Sequence, residues 1–323
     1  FFQYIDIEIP MRIIMELKGK KILVTGGNGF LGKFVVKELE REQITNIFTP
    51  SSSELDLRLQ KSCEDAVKDI DIVFHLAGTV GGIGFNKSNP ADCFYDNIMM
   101  GTQLIHEAMR AKVEKFIALG TVCSYPKFAN LPFSEEEIWE GYPEETNAAY
   151  GLSKKMMLVQ SEAYRQQFGF NSISIIPTNL YGPYDDFNPY TSHVIPGIIL
   201  KIFNAKKSDA KEVTLWGDGT PTRDFLFAED AAKGIILAGG KYEGTSIINL
   251  GSEQEISIKE LADTISKIMN FSGEIVWDNT KPNGQPRRCV SNRKAKENFG
   301  FEAKISLEEG LRRTVDWFIS QNN

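Results

Sequence analysis

Tyr150 and Lys154 stand four residues apart in Tyr150-Gly151-Leu152-Ser153-Lys154. In a helix, that spacing stacks one side chain a turn above the other on a single face. A phenol beside an ammonium can trade protons. The cation stabilises the phenolate and draws a group with a free pKa of about 10 toward neutrality. A second reactive segment comes earlier, where the apolar run 115–119 turns into Gly120-Thr121-Val122-Cys123-Ser124 and presents a hydroxyl and a thiol. With 10 tyrosines in the chain, a Tyr-x-x-x-Lys pair arises about once by chance. The pair gains meaning only from the elements that would position it.

The first of these elements is the buried-strand pattern Lys20-Lys21-Ile22-Leu23-Val24-Thr25, followed at once by Gly26-Gly27-Asn28-Gly29-Phe30-Leu31-Gly32 and a helical pattern over 33–42. A strand, a GxxGxxG turn and a helix make a phosphate cradle, because glycine lets the backbone approach closely and the helix start offers free N–H groups. Gly26, Gly29, Phe30, Leu31 and Gly32 are therefore expected to hold a dinucleotide. A second strand over 44–49 ends in Pro50-Ser51-Ser52-Ser53, neither acidic nor basic. Ser51 and Ser52 can donate to a phosphate, which permits NADP and leaves NAD open, while Asp56 and Leu57 are placed to hold the adenine. The strand 71–78 ends in Ala77-Gly78, small enough for a cofactor to approach; His75 within it reads as a core histidine. The loop 79–84 follows, then a helix over 90–111 and a strand over 115–119, and later another strand over 172–176. This alternation predicts an α/β fold, a Rossmann-type doubly wound parallel sheet. Beyond residue 177, turn-rich stretches carrying isolated cations suit a smaller domain that closes over an anion.

Composition narrows the function classes. A 323-residue chain with net charge −7 is not built to bind nucleic acid. Its four cysteines are far apart in sequence, pointing to a reducing compartment without disulfides, and three histidines make a metal site unexpected. No apolar run reaches membrane-spanning length, so a soluble cytoplasmic protein is expected. Residues 1–19 read as an N-terminal extension and not as a signal peptide.

These motifs resemble the extended short-chain dehydrogenase/reductase family over nearly the whole chain from about residue 20. The resemblance rests on Gly26 to Gly32, Thr121, and Tyr150 with Lys154. More narrowly, the chain is similar to the GDP-L-fucose synthase subfamily, which epimerises C3 and C5 of GDP-4-keto-6-deoxy-D-mannose and reduces C4. That likeness lies in Val80-Gly81-Gly82-Ile83, Cys123 with Tyr125-Pro126-Lys127, Pro177-Thr178-Asn179-Leu180-Tyr181-Gly182-Pro183, Ser192-His193-Val194-Ile195-Pro196, Gly217 to Phe225, and Lys281-Pro282-Asn283-Gly284 through Arg287.

The resemblance implies catalytic roles for Tyr150, Lys154, Thr121, Cys123 and His193. Tyr150 would protonate the C4 oxygen, Lys154 would hold the nicotinamide ribose, Thr121 would bond the sugar oxygen, and Cys123 with His193 would move the C3 and C5 protons. It places Leu119, Gly120, Pro177, Asn179, Leu180 and His193 around NADP. It places Val80, Gly81, Asn179, Lys201, Trp216, Arg223, Asn283 and Arg288 around a GDP-sugar. Lys201 stands for an arginine and Asn283 for an acidic residue, which leaves a related GDP-4-keto sugar, for example a deoxyheptose, as the alternative substrate. The implied domains are 20–176 for the dinucleotide, with a return segment at about 225–250, and 177–323 mainly for the nucleotide sugar. Relatives pair through the helices after Pro90 and Tyr150, so a homodimer is expected.

Overall fold

The computed structural model describes residues 17–245 and 247–322. Most of the expected N-terminal extension, residues 1–16, lies outside them. Leu17 is already packed in the core beside Ile22 and Val35.

Among the described residues, six parallel strands form the larger sheet in the order β2-β1-β3-β4-β5-β9. They are β1 (Ile22–Thr25), β2 (Ile47–Phe48), β3 (Ile72–His75), β4 (Lys115–Leu119), β5 (Ser172–Pro177) and β9 (Ile248–Leu250). β1, β3 and β5 are buried at every position, the pattern of strands covered on both faces. The second strand is shorter than the expected 44–49. Ile44 leaves the ladder and is buried in the core instead, and only two residues pair with β1.

Helix α1 (Phe30–Arg41) buries Leu31, Val35 and Leu39 at four-residue spacing. It packs against α7 (Ala228–Lys241), the helix that precedes β9. On the other face, α4 (Pro90–Arg110) and α5 (Ala148–Phe168) run side by side. Between them, a Cβ on Gly101 would lie 2.2 Å from the Met157 sulfur. Two short helices, α2 (Gln60–Ala66) and α3 (Ile83–Ser88), fill the connections on either side of β3.

The C-terminal part is more regular than its turn-rich sequence implies. Strands β6 (Asn179–Tyr181), β10 (Glu255–Ser257) and β12 (Arg287–Arg288) all pair with β8 (Thr222–Phe227), and β7 (Glu212–Trp216) pairs with β11 (Glu274–Asp278). Helices α6 (Val194–Lys207), α8 (Ile258–Ile268) and α10 (Leu307–Asn322) close a second core. It includes Ile198, Ile202, Leu215, Phe225, Leu261, Val315 and Phe318. A capping box between Ser257 and Glu260 starts α8, a device worth about 1 kcal/mol. α9 (Arg293–Phe299) packs back onto α7 and β9.

The chain moves outward from β1 to β2 and then returns to β3 on the other side of β1. The carboxyl ends of β1 and β3 therefore flank a topological switch point, where ligands of open α/β sheets bind.

Candidate active site

A cavity of about 620 Å³ opens at that switch point, between the large sheet and the C-terminal elements. Its floor is the glycine turn. Gly26 has φ +69°, and a Cβ there would lie 2.9 Å from Ala77 N; a Cβ on Gly32 would lie 2.0 Å from Gly26 O. Both positions therefore require glycine. Gly29 caps α1 without any side-chain bond, so the helix start keeps N–H groups for an anion. Gly26, Gly29, Phe30, Leu31 and Gly32 all line the cavity, with Ala77, Gly78, Leu119, Gly120, Pro177, Asn179 and Leu180 above them. This is a cradle that a dinucleotide fits.

Thr121, Cys123, Tyr150, Lys154 and His193 line the same cavity. Local backbone chemistry sets the first four. Thr121 is extended and caps the short turn 122–124, its hydroxyl accepting from Cys123 N at 3.2 Å. Ser124 Oγ donates to Gly151 O at 2.9 Å, and a Cβ on Gly151 would lie 2.2 Å from Cys123 O. The thiol-bearing turn and the first turn of α5 are thus in backbone contact.

Burial, and then the neighbouring Cys123, drives the Tyr150 phenol well above its ordinary range, and the Thr121 hydroxyl opposes that rise without cancelling it. The sequence expectation was a phenolate drawn down by Lys154. Here the ammonium donates to Ala77 O at 3.0 Å, and burial lowers it to about 8. Tyr150 is consequently held protonated, as an acid must be. Asn97 fixes the neighbouring loop, accepting from Thr79 N at 3.1 Å and donating to Thr79 O at 2.8 Å.

His193 stands at the N-cap of α6 with its ring open to the cavity. The protein walls around it lower its pKa, opposed by Asp186 and reinforced by Arg288.

Two arginines form the cationic end. Arg223 on β8 and Arg288 on β12 are register partners and are only 8% and 7% exposed. Among the described residues neither makes a salt bridge. Arg223 donates to Thr222 O at 2.7 Å, and Arg288 to Gln285 Oε1 at 3.1 Å and Asn179 Oδ1 at 3.2 Å. Burial, then the Arg288 charge, brings Arg223 down to about 9. Two buried guanidiniums without counter-ions are a site for a polyvalent anion.

With that geometry, the cavity unites a dinucleotide cradle, a Tyr/Lys/Thr cluster and an anion pocket. Residues 22–251 match the NAD dependent epimerase/dehydratase family. This chain belongs to that family. Among relatives, GDP-L-fucose synthase 1 of Arabidopsis thaliana is 38% identical over 307 residues, 94% of this chain and 95% of that protein. A GDP-L-fucose synthetase from Naegleria fowleri, solved bound to NADP, superposes with TM-score 0.85 at 31% identity, over 94% of this chain and 95% of that one. A GDP-6-OMe-4-keto-L-xylo-heptose reductase from C. jejuni gives TM-score 0.88 at 26% identity, over 94% and 98%.

Not every expected residue of this epimerase/dehydratase fold reaches the cavity. Ser51, Ser52, Asp56 and Leu57 do not line it. The Ser51 hydroxyl is bound to Glu54 at 2.7 Å, the Asp56 carboxylate to the Arg58 guanidinium at 2.8 Å, and Leu57 is buried in the core near Cys63. Val80, Gly81, Lys201, Trp216 and Asn283 are on the wall. Two of these have their polar groups engaged: Lys201 donates to Thr214 O at 2.8 Å, and Asn283 Oδ1 accepts from Asp218 N at 3.0 Å.

Sequence reasoning missed Asn86, Asn147, Asp185 and Gln285, which also line the cavity. Asn147 had a readable signal, an N-capping residue type just before α5. Asp185 had none. Among the described residues its Oδ2 is buried without a partner, while its Oδ1 accepts from Asp186 N at 2.7 Å; burial lifts its carboxyl to about 7.

Proposed function

We propose that this protein converts GDP-4-keto-6-deoxy-D-mannose to GDP-L-fucose by 3,5-epimerisation and NADPH-dependent C4 reduction. The observation that carries the reading is the convergence of Thr121, Cys123, Tyr150, Lys154 and His193 on one cavity with the glycine cradle and the unpaired Arg223 and Arg288. The GDP-L-fucose synthase relatives support the same substrate.

The Gly26–Gly32 turn and the start of α1 would hold the cofactor diphosphate, and Lys154 its nicotinamide ribose. When bound, NADPH supplies the hydride that reduces C4. Tyr150 gives its proton to the C4 oxygen, and Thr121 orients that oxygen by hydrogen bonding. C3 and C5 flank the ketone, so their protons are acidic. One member of the Cys123/His193 pair removes each proton and the other returns one on the opposite face. Arg223 and Arg288 neutralise the GDP diphosphate, with Trp216 beside the base or ribose, and Val80, Gly81, Lys201 and Asn283 complete the sugar-nucleotide wall.

The division of labour follows the chain: 20–176 with the 225–250 return segment for NADP, and mainly 177–323 for the nucleotide sugar. Among the described residues no helix is long and apolar enough to cross a membrane; a cytoplasmic site of action suits the reading. A homodimer through α4 and α5 is supported by their exposed Phe94, Tyr95 and Val159.

The test is oxidation of NADPH and NADH with GDP-4-keto-6-deoxy-D-mannose, the product identified by NMR. GDP-L-fucose is the expected product, with NADPH preferred. Absence of oxidation, with turnover appearing on a GDP-4-keto-deoxyheptose, would transfer the assignment to that sugar.

A further inference from the structure

A chain of hydrogen bonds runs along the cavity wall through Asn147 and Asn86, which have no part in the reaction proposed above, to the backbone of Gly81. It begins at Asn147, three residues before Tyr150, whose Nδ2 donates to Glu144 Oε2 at 3.0 Å. Its Oδ1 accepts from Asn86 Nδ2 at 2.9 Å, and Asn86 Oδ1 in turn accepts from Gly81 N at 3.1 Å. Cys93 Sγ also donates to that oxygen, at 3.6 Å. The polarity is fixed. A carboxylate can only accept and a backbone N–H can only donate, so neither amide can be turned round. Asn86, Asn147 and Glu144 are all buried.

The chain continues through the backbone. Gly82 N donates to Thr191 O at 2.8 Å, and a Cβ on Gly82 would lie 2.3 Å from Ser192 O. Ser192 immediately precedes His193. Among the described residues, no hydrogen bond holds the His193 imidazole, so the ring goes where this backbone takes it. Cys123 is fixed separately by the Thr121 cap and the Gly151 contact. Tyr150 is also separate, because Asn147 keeps its bonds to Glu144 and Thr146 whether or not Asn86 is present.

From this we infer that Asn86 is a positioning residue for His193, acting through Gly81, Gly82 and Ser192. The inference rests on the proposed role of His193 in proton transfer at C3 or C5. Losing Asn86 frees one member of the Cys123/His193 pair and leaves Tyr150, Lys154 and Thr121 in place. Epimerisation and reduction should then respond differently to one substitution.

The experiment follows both half-reactions in the full-length protein. Deuterium incorporation at C3 and C5 in heavy water is read by NMR, and single-turnover hydride transfer from NADPH by its absorbance. Asn86→Ala is expected to slow incorporation on the order of 10-fold to 100-fold, as misplacement of a reacting group by about 1 Å does. Hydride transfer is expected to fall by no more than a small factor, with the product enriched in sugar retaining its starting C3 or C5 configuration. Should Asn86→Ala fail to fold, Gly82→Ala perturbs the same path from the Ser192 side and is expected to give the same split. Equal losses in both half-reactions, or no loss in either, in a protein whose wild type performs both would overturn this inference alone. A wild type that neither exchanges nor reduces would overturn the functional reading, and this inference with it.

Discussion

Burial sets the working charge of the side chains lining the cavity, and it does so against their usual behaviour. Lys154 falls from 10.5 to about 8, so between those pH values the unfolded chain binds a proton that the folded one does not. Stability therefore rises with pH across that window, and the buried ammonium costs roughly 3 kcal/mol below it. Lys154→Met is expected to melt above the parent at pH 7, with the gap closing toward pH 10, while turnover is lost. Thermal melts across pH, paired with the NADPH assay, check both halves. Asp185 shifts the other way, from 3.8 to about 7. Its folded form keeps a proton that the unfolded chain has released, so this group removes stability as pH rises from about 4 to 7. Asp185→Asn should consequently match the parent near pH 4 and melt higher above pH 7. A variant that melts lower at every pH would show that the bond Asp185 Oδ1 accepts from Asp186 N outweighs the cost of burying the carboxyl.

At the scale of elements, the decisive contact is the one between α5 and the Cys123 turn. Gly151→Ala should favour the helix by about 1 kcal/mol on propensity. The added Cβ, however, would meet Cys123 O at 2.2 Å, and overpacking against rigid backbone costs about 1–3 kcal/mol. The expected result is net destabilisation and a lower kcat, read from denaturant melts and steady-state rates. The elements differ in how plainly the sequence announced them. β3 and β4 were legible because a strand covered on both faces is a continuous apolar run, β5 because Ile173, Ile175 and Ile176 alternate with small serines, and α4 because its pattern is long. β2 was overestimated, since Ile44 is apolar for the core and not for the ladder. The strands around β8 were obscure because each is short and its partner lies far away in sequence, as Asn179 pairs with Phe225 and Arg288 with Arg223. The site divides in the same way. Tyr150, Lys154, Thr121 and the glycine turn carry local signals, whereas Asn86 and Asp185 matter only through contacts that folding creates. Ser51 and Asp56, expected from the sequence to touch the cofactor, lie off the cavity wall with their side chains bonded to Glu54 and Arg58, contacts the sequence did not announce.

At the scale of the whole molecule, α4 and α5 leave Tyr95 58% and Val159 46% exposed, on the helices proposed to meet in a homodimer. Of the run 156–159, Met157 and Leu158 belong to the core and Val159 does not. Tyr95→Glu combined with Val159→Glu is expected to yield a folded monomer by analytical ultracentrifugation, because charges buried at a dimer seam are costly. An unchanged sedimentation profile would move the contact elsewhere. The unpaired Arg223 and Arg288 bear on the molecule as a whole. Among the described residues their guanidiniums lose hydration on folding and gain neutral acceptors but no salt bridge, so a bound anion would offset part of that desolvation cost. GDP at about 100 times its dissociation constant should raise the stability of the fold by about 2.7 kcal/mol, whereas guanosine, lacking phosphates, should leave melting nearly unchanged. Resistance to heat and to proteolysis would then rise and fall with the supply of nucleotide sugar, so that an idle copy is the one most readily cleared.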